Sequence, residues 1–178
     1  PHLNTLILIQ PGERSDMAHP LLHQLQQNGP SFNNNRDLHI ITLALSNLTQ
    51  DHLVTIFCDI LPIYDHILEL DIRGNRIQSL QILADRIIDM PSHSPCFNTI
   101  TKLNLTGNPV LTKLKDNNNN TDERAALLTI LSRFKRIVEI EDNTTLTLIS
   151  SYGPEIETAL RYNHAGRILV EGNNVGHR

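Results

Sequence analysis

Apolar and polar positions follow one motif that occurs twice in this chain, 33 residues apart. Residues 67–77 read Ile-Leu-Glu-Leu-Asp-Ile-Arg-Gly-Asn-Arg-Ile, and residues 100–110 read Ile-Thr-Lys-Leu-Asn-Leu-Thr-Gly-Asn-Pro-Val. Both fit apolar-x-x-apolar-x-apolar-x-x-Asn-x-apolar, with the Asn at Asn75 and Asn108. Self-similarity at such a period predicts stacked repeats, because one unit alone cannot bury its apolar face. The central pairs Leu70/Ile72 and Leu103/Leu105 have period two and predict short strands with one buried side. The Asn falls where the chain must turn, and a turn inside a stack leaves N–H and C=O groups that need partners. An Asn side chain both donates and accepts, so it can serve its own turn and its neighbour's. Gly74 and Gly107 permit a positive φ at the bend.

The same template predicts further units. Leu38, Ile41, Leu43 and Leu48 fit, with Ser46 in the Asn place. Leu3, Leu6 and Leu8 fit as a degenerate edge unit, with Pro11 in the Asn place. Val138, Ile140 and Asn143 fit, with Lys135 replacing the first apolar residue. The lead positions Leu6, Ile41, Leu70, Leu103 and Val138 are then 35, 29, 33 and 35 residues apart. Helical spacing fills the intervals: Leu53, Phe57, Ile60 and Leu61 within 51–63, and Leu80, Leu83, Ile87 and Met90 within 78–90. The second of these stops before Pro91, which disfavours helix at the residue ahead of it. Thr121, Asp122 and Glu123 form a helix start. That helix continues through Leu127, Leu128 and Leu131 to Arg133, Lys135 and Arg136. A shorter helix is expected at 15–27.

This motif resembles the leucine-rich repeat, and the 29-residue spacing with a full helix per unit resembles its ribonuclease-inhibitor-like subfamily. The resemblance covers about residues 3–143. It implies an α/β fold, a short solenoid with parallel strands on a concave face and helices on a convex one. Residues 1–143 are then the repeats, about five units with degenerate outer ones. Residues 144–178 form a carboxyl-terminal capping segment and tail, since an uncovered solenoid end exposes its core. Within that tail the sequence predicts a short helix at 154–162 with Ile156 and Leu160 inward. It also predicts a tight turn at 164–167, a last strand at 168–170 and fraying at 173–178. The polar stretches 91–98 and 115–121 read as loops at the ends of elements, outside the core.

At 178 residues the chain can bury one sizeable core. A net charge of −4 argues against a nucleic-acid binder, which needs a basic patch. No apolar run is long enough to span a membrane. The first residue, Pro1, with no initiator Met or signal peptide, reads as a processed or trimmed start. Two cysteines, Cys58 and Cys96, suit a reducing, intracellular compartment better than a cysteine-capped extracellular repeat. Asn-x-Ser/Thr triplets begin at Asn47, Asn104 and Asn143, but Asn104 lies within a strand, which disfavours glycosylation there. The Asn runs 33–35 and 117–120 read as solvated loops.

Candidate chemistry is thin. His19 and His23 stand four apart but lack a third ligand, so two surface histidines are the better reading. His93 and Cys96 lack an orienting partner for a nucleophile. Asp65, Glu69 and Asp71 read as exposed charge. No phosphate-binding glycine loop or nucleophile elbow occurs. Neither cofactor nor metal nor catalytic activity is expected.

What remains is the strand face. Non-core strand residues of successive units become neighbours there: Thr5, Ile7 and Ile9; Ile40, Thr42 and Ala44; Glu69, Asp71 and Arg73; Lys102, Asn104 and Thr106; Ile137, Glu139 and Glu141. Lys102 is expected between Glu69 and Glu139. An apolar-plus-charged strip suits protein recognition. The protein-binding residues expected are Thr42, Glu69, Asp71, Arg73, Lys102, Asn104, Thr106, Glu139 and Glu141. The resemblance implies a non-enzymatic interaction module, expected as a monomer that binds a protein partner. The short, Asn-rich, cysteine-poor form also resembles bacterial effectors delivered into a host cytosol. The alternative is the substrate-targeting part of an enzyme such as a ubiquitin ligase.

Overall fold

The computed structural model describes residues 5–7, 20, 22–27, 39–64, 66–115, 121–140 and 152–174, with side chains of 167–174 excluded. Four strands of three residues each, β1 (Thr5–Ile7), β2 (Ile40–Thr42), β3 (Glu69–Asp71) and β4 (Lys102–Asn104), form one sheet in the order β1-β2-β3-β4. All neighbours are parallel, and Leu6, Ile41, Leu70 and Leu103 stand in register. A parallel sheet in chain order needs a crossover after every strand. Helical segments supply it: residues 22–27 (α1), Gln50–Val54 (α2), Gln81–Asp89 (α3), Pro109–Lys115 (α4), Thr121–Arg133 (α5) and Pro154–Asn174 (α6). The neighbours in this layer follow the chain, with α2 on α3, α3 on α5, and α5 on α6.

One apolar cluster lies between the sheet and the helices. Ile41, Leu43, Leu70, Ile72, Leu103 and Leu105 enter it from the sheet side and are almost fully buried. Each such side chain stabilises the fold by about 1.5–3 kcal/mol. Phe134 joins the layers, in edge-to-face contact with Phe57 (5.3 Å) and Phe97 (4.8 Å). Tyr64 is fully buried, and its hydroxyl donates to Leu25 O at 2.9 Å, which ties α1 to the segment after α2. Beyond α2 the chain widens into a π-helical stretch, Thr55–Ile60, then tightens to a 3-10 turn, Leu61–Ile63. Pro62 lacks an N–H and would clash in a continued α-helix. The altered winding leaves Leu53, Ile56, Phe57, Ile60 and Leu61 buried together.

Several expectations are corrected. The stretch 91–98 is not outside the core: Ser94, Cys96 and Phe97 are buried around a 3-10 turn, Pro95–Asn98. Helix α4 was not expected, and only its last residue, Lys115, falls in a stretch read as loop; Pro109 suits a first helical position, and Val110, Leu111 and Leu114 are buried. Asp122 and Glu123 stand in the first turn of α5, as expected of a helix start, but Glu123 also reaches a neighbour. Its carboxylate accepts the Leu80 N–H at 2.8 Å, at the head of neighbouring α3. The tail is one helix through 154–174, so the turn at 164–167 and the strand at 168–170 do not form. Residues 173 and 174 belong to it too. Ile156 is buried as expected, and Leu160 packs on the core. Asn163 binds this helix to α5, donating to the carbonyls of Leu131, Phe134 and Ile137 at 3.3, 3.2 and 3.0 Å.

Candidate protein-binding face

The turns after the strands set the geometry of the face. Asn75 is buried, and its Oδ1 accepts the N–H groups of Ser46 (2.9 Å) and Leu48 (3.0 Å) in the preceding unit. Its Nδ2 donates to Leu43 O (2.9 Å), Ile72 O (2.7 Å) and Arg73 O (3.3 Å). Asn108 repeats this role, accepting from Ile77 N (3.2 Å) and donating to Ile72 O and Leu105 O, both at 2.9 Å. The turn asparagines therefore serve two units each, as the motif predicts. Gly74 and Gly107 have φ of +66° and +73°.

On the sheet side away from the core, one row crosses the strands as Thr5, Ile40, Glu69, Lys102 and Glu139. Lys102 Nζ lies 3.6 Å from Glu69 Oε1 and 3.8 Å from Glu139 Oε2. The expected placement between two carboxylates is present. Glu69 and Lys102 are partly shielded, with 28% and 24% of the side chain exposed, while Glu139 keeps 58%.

The next row corrects the sequence reading. Thr42, Asp71 and Asn104 were placed among exposed residues, yet they are 8%, 5% and 1% exposed. Asp71 Oδ1 accepts the Arg73 N–H (3.2 Å), and Asn104 Oδ1 accepts the Thr106 N–H (3.1 Å). Each side chain folds back along its own strand end, an Asx turn. Arg73 Nε also lies 3.3 Å from Asp71 Oδ2, and Arg73 and Thr106 are exposed. Ala44 is buried and Ile7 is exposed. Ile137 is fully buried instead of facing solvent, because Glu139 pairs with Lys102 and so Ile137 takes the place of Ile67 and Ile100. Val138 is therefore not the lead residue; Ile140 is. Glu141, Ile9, Asp65, Asn143 and His19 lie outside the described residues.

His93 and Cys96 do not assemble into a nucleophile pair. His93 is exposed while Cys96 has no exposure, and Cys96 Sγ lies 3.3 Å from Ser94 Oγ. Burial pushes the Cys96 thiol above its ordinary pKa. Burial, then the neighbouring Asp59 carboxylate, does the same for Cys58. Both effects disfavour the thiolate that a nucleophile needs. Among the described residues no group of three or more His, Cys, Asp or Glu could hold a metal ion, and no helix is long and apolar enough to cross a membrane.

No family model and no curated protein sequence matches the chain. Among solved structures it is similar to the tropomodulin C-terminal domain from Caenorhabditis elegans, with a TM-score of 0.57 over 96% of this chain and 90% of that one. Sequence identity is 8%, so the likeness is one of fold. The chain shares with that domain a mixed α/β architecture, and its four parallel strands are compatible with the leucine-rich-repeat motif.

Proposed function

We propose that this chain is a non-enzymatic protein–protein interaction module, a short leucine-rich-repeat solenoid of the ribonuclease-inhibitor-like type. Its strand face receives the partner, and residues 144–172 cap the stack. The fold likeness and the turn asparagines support the repeat reading. The observation that carries the function is the row Glu69, Lys102, Glu139. Charges of alternating sign stand one strand apart on the face turned away from the core. Partly exposed pairs of this kind contribute only about 0–1 kcal/mol to stability. A fixed charge pattern instead orients a partner and excludes wrong ones. A reducing intracellular setting, such as a host cytosol reached by a secreted effector, fits the two thiols and the composition.

The test exploits the alternation. Glu69→Lys, Lys102→Glu and Glu139→Lys together preserve both pairings while inverting the pattern. The wild-type chain is used for affinity capture from host or native lysate with mass spectrometry, and the swapped chain is compared. Unfolding should change by less than about 1 kcal/mol, while the specific partner is lost. Recovery of the same partner by the swapped chain refutes the site. Asp71 is left out because its carboxylate holds a strand end.

A further inference from the structure

Leu45 occupies the turn position that glycine holds in the next two units. Backbone pairing continues past the strand ends: Leu45 N–H donates to Arg73 O (3.0 Å), and Gly74 N–H donates to Thr106 O (2.8 Å). Leu45, Gly74 and Gly107 therefore form one column at the carboxyl edge of the sheet. Leu45 has φ of +54°, beside +66° and +73° for the glycines. A leucine there bears a steric cost that glycine avoids. Its side chain gains little burial in return, remaining 58% exposed. It lies across Gly74, where an added Cβ would stand 2.4 Å from Leu45 Cδ2. Gly107, the next step of the column, is exposed. Arg73 and Arg76, on either side of Gly74 and Asn75 in the chain, are exposed as well, and among the described residues Arg76 has no ion-pair partner. An apolar side chain is thus held out in solvent on a strained backbone, beside the bare backbone of the next glycine in the column. Arg73 is already paired with Asp71, which leaves Arg76 as the exposed cation of this turn.

We propose that Leu45 is the apolar anchor of a docking site at this edge for an acidic segment of a partner protein. An aromatic side chain of that segment packs against Leu45 and the Gly107 backbone, and a carboxylate of the segment meets Arg76. A flat ring suits bare glycine backbone, aromatic anchors dominate interfaces, and Arg binds carboxylates bidentately. This rests on the reading of the strand face as a protein-binding surface and adds its edge and the partner's chemistry.

Leu45→Gly separates binding from folding, because it relieves the backbone while removing the anchor. Chemical denaturation should give the variant a midpoint at or above wild type. Isotope-labelled protein is then titrated with an acidic peptide carrying one phenylalanine, with its alanine counterpart, and with a lysine-flanked counterpart. The acidic phenylalanine peptide should shift the amides of Leu45, Gly74, Arg76 and Gly107. Leu45→Gly or Arg76→Ser should each weaken it at least tenfold, and both counterparts should fail. No binding by wild type, equal binding by Leu45→Gly, or preference for the lysine-flanked peptide overturns the proposal. A natural partner lost by the charge-swapped chain but kept by Leu45→Gly would sink this inference and leave the strand face standing. A partner kept by both sinks the two together.

Discussion

Asn75 and Asn108 share an acceptor: the side-chain amide of each donates to the Ile72 carbonyl, at 2.7 and 2.9 Å. One arrives from within the same turn and the other from the following unit. Both lone pairs of a buried carbonyl are used, which its full satisfaction requires.

Replacing either asparagine strands buried groups. Asn75→Ala leaves two N–H groups and three carbonyls short of a bond. Asn108→Ala leaves one and two. Neighbouring bonds soften the loss, so the expected costs are about 3 and about 2 kcal/mol. Equilibrium denaturation should give that order. Asn75→Asp should be no better than Ala, because it turns a carboxylate towards carbonyl oxygens. Equal midpoints for wild type and Asn75→Ala would remove the asparagine's role.

Gly74 and Leu45 should be energetically coupled. Gly74→Ala meets both a left-handed backbone and the Leu45 side chain, whereas a Cβ at Gly107 comes only to 3.4 Å from Gly74. Gly74→Ala should cost more than Gly107→Ala, which bears about 1–2 kcal/mol from its backbone alone. Combining Gly74→Ala with Leu45→Gly should recover the excess. A double-mutant cycle showing strict additivity would contradict the contact.

Alkali should weaken the fold through Tyr64. Burial pushes this phenol from 10.0 up to about 12. The folded state then holds the proton more tightly than the unfolded chain does. Its contribution is fully present below pH 10 and is lost as pH rises through about 12. Tyr64→Phe should cost about 1 kcal/mol at neutral pH, for the lost bond to Leu25 O. Its deficit should shrink between pH 10 and 12. A constant difference across that window, by denaturation at fixed pH, would place the burial effect elsewhere.

The repeat frame was legible because two units keep every marker, and one shared register then places β1 and β2 as well. The fifth unit has no glycine before its Asn and has Lys135 for its first apolar residue, so its phase rested on Val138, Ile140 and Asn143. Val138 and Ile140 as leads differ by two residues, a shift that keeps Glu139 on the outer face but moves Ile137 off the strand face into the core. That is why Glu139 beside Lys102 was foreseen although the lead residue was not. The first half of α6 was legible at 154–162, and its continuation was hidden by Gly166, which reads as a break and costs roughly 1 kcal/mol in a helix. Packing of Ile156 and Leu160, and the bonds from Asn163, hold the first half to the body of the fold. Burial of Asp71 and Asn104 was not legible, because alternation reports the side of a sheet and not whether a polar side chain folds back on its own backbone; nothing in the structure explains the burial of Thr42.

The asparagine bonds also have a direction. Asn75 reaches back to Leu43, Ser46 and Leu48, and Asn108 reaches back to Ile72 and Ile77. The second and third layers are each latched by the one that comes after, in the manner of overlapping shingles. Trimming from the amino end would lift off the lowest course and leave the others fastened, whereas loosening near the carboxyl end would free them one by one.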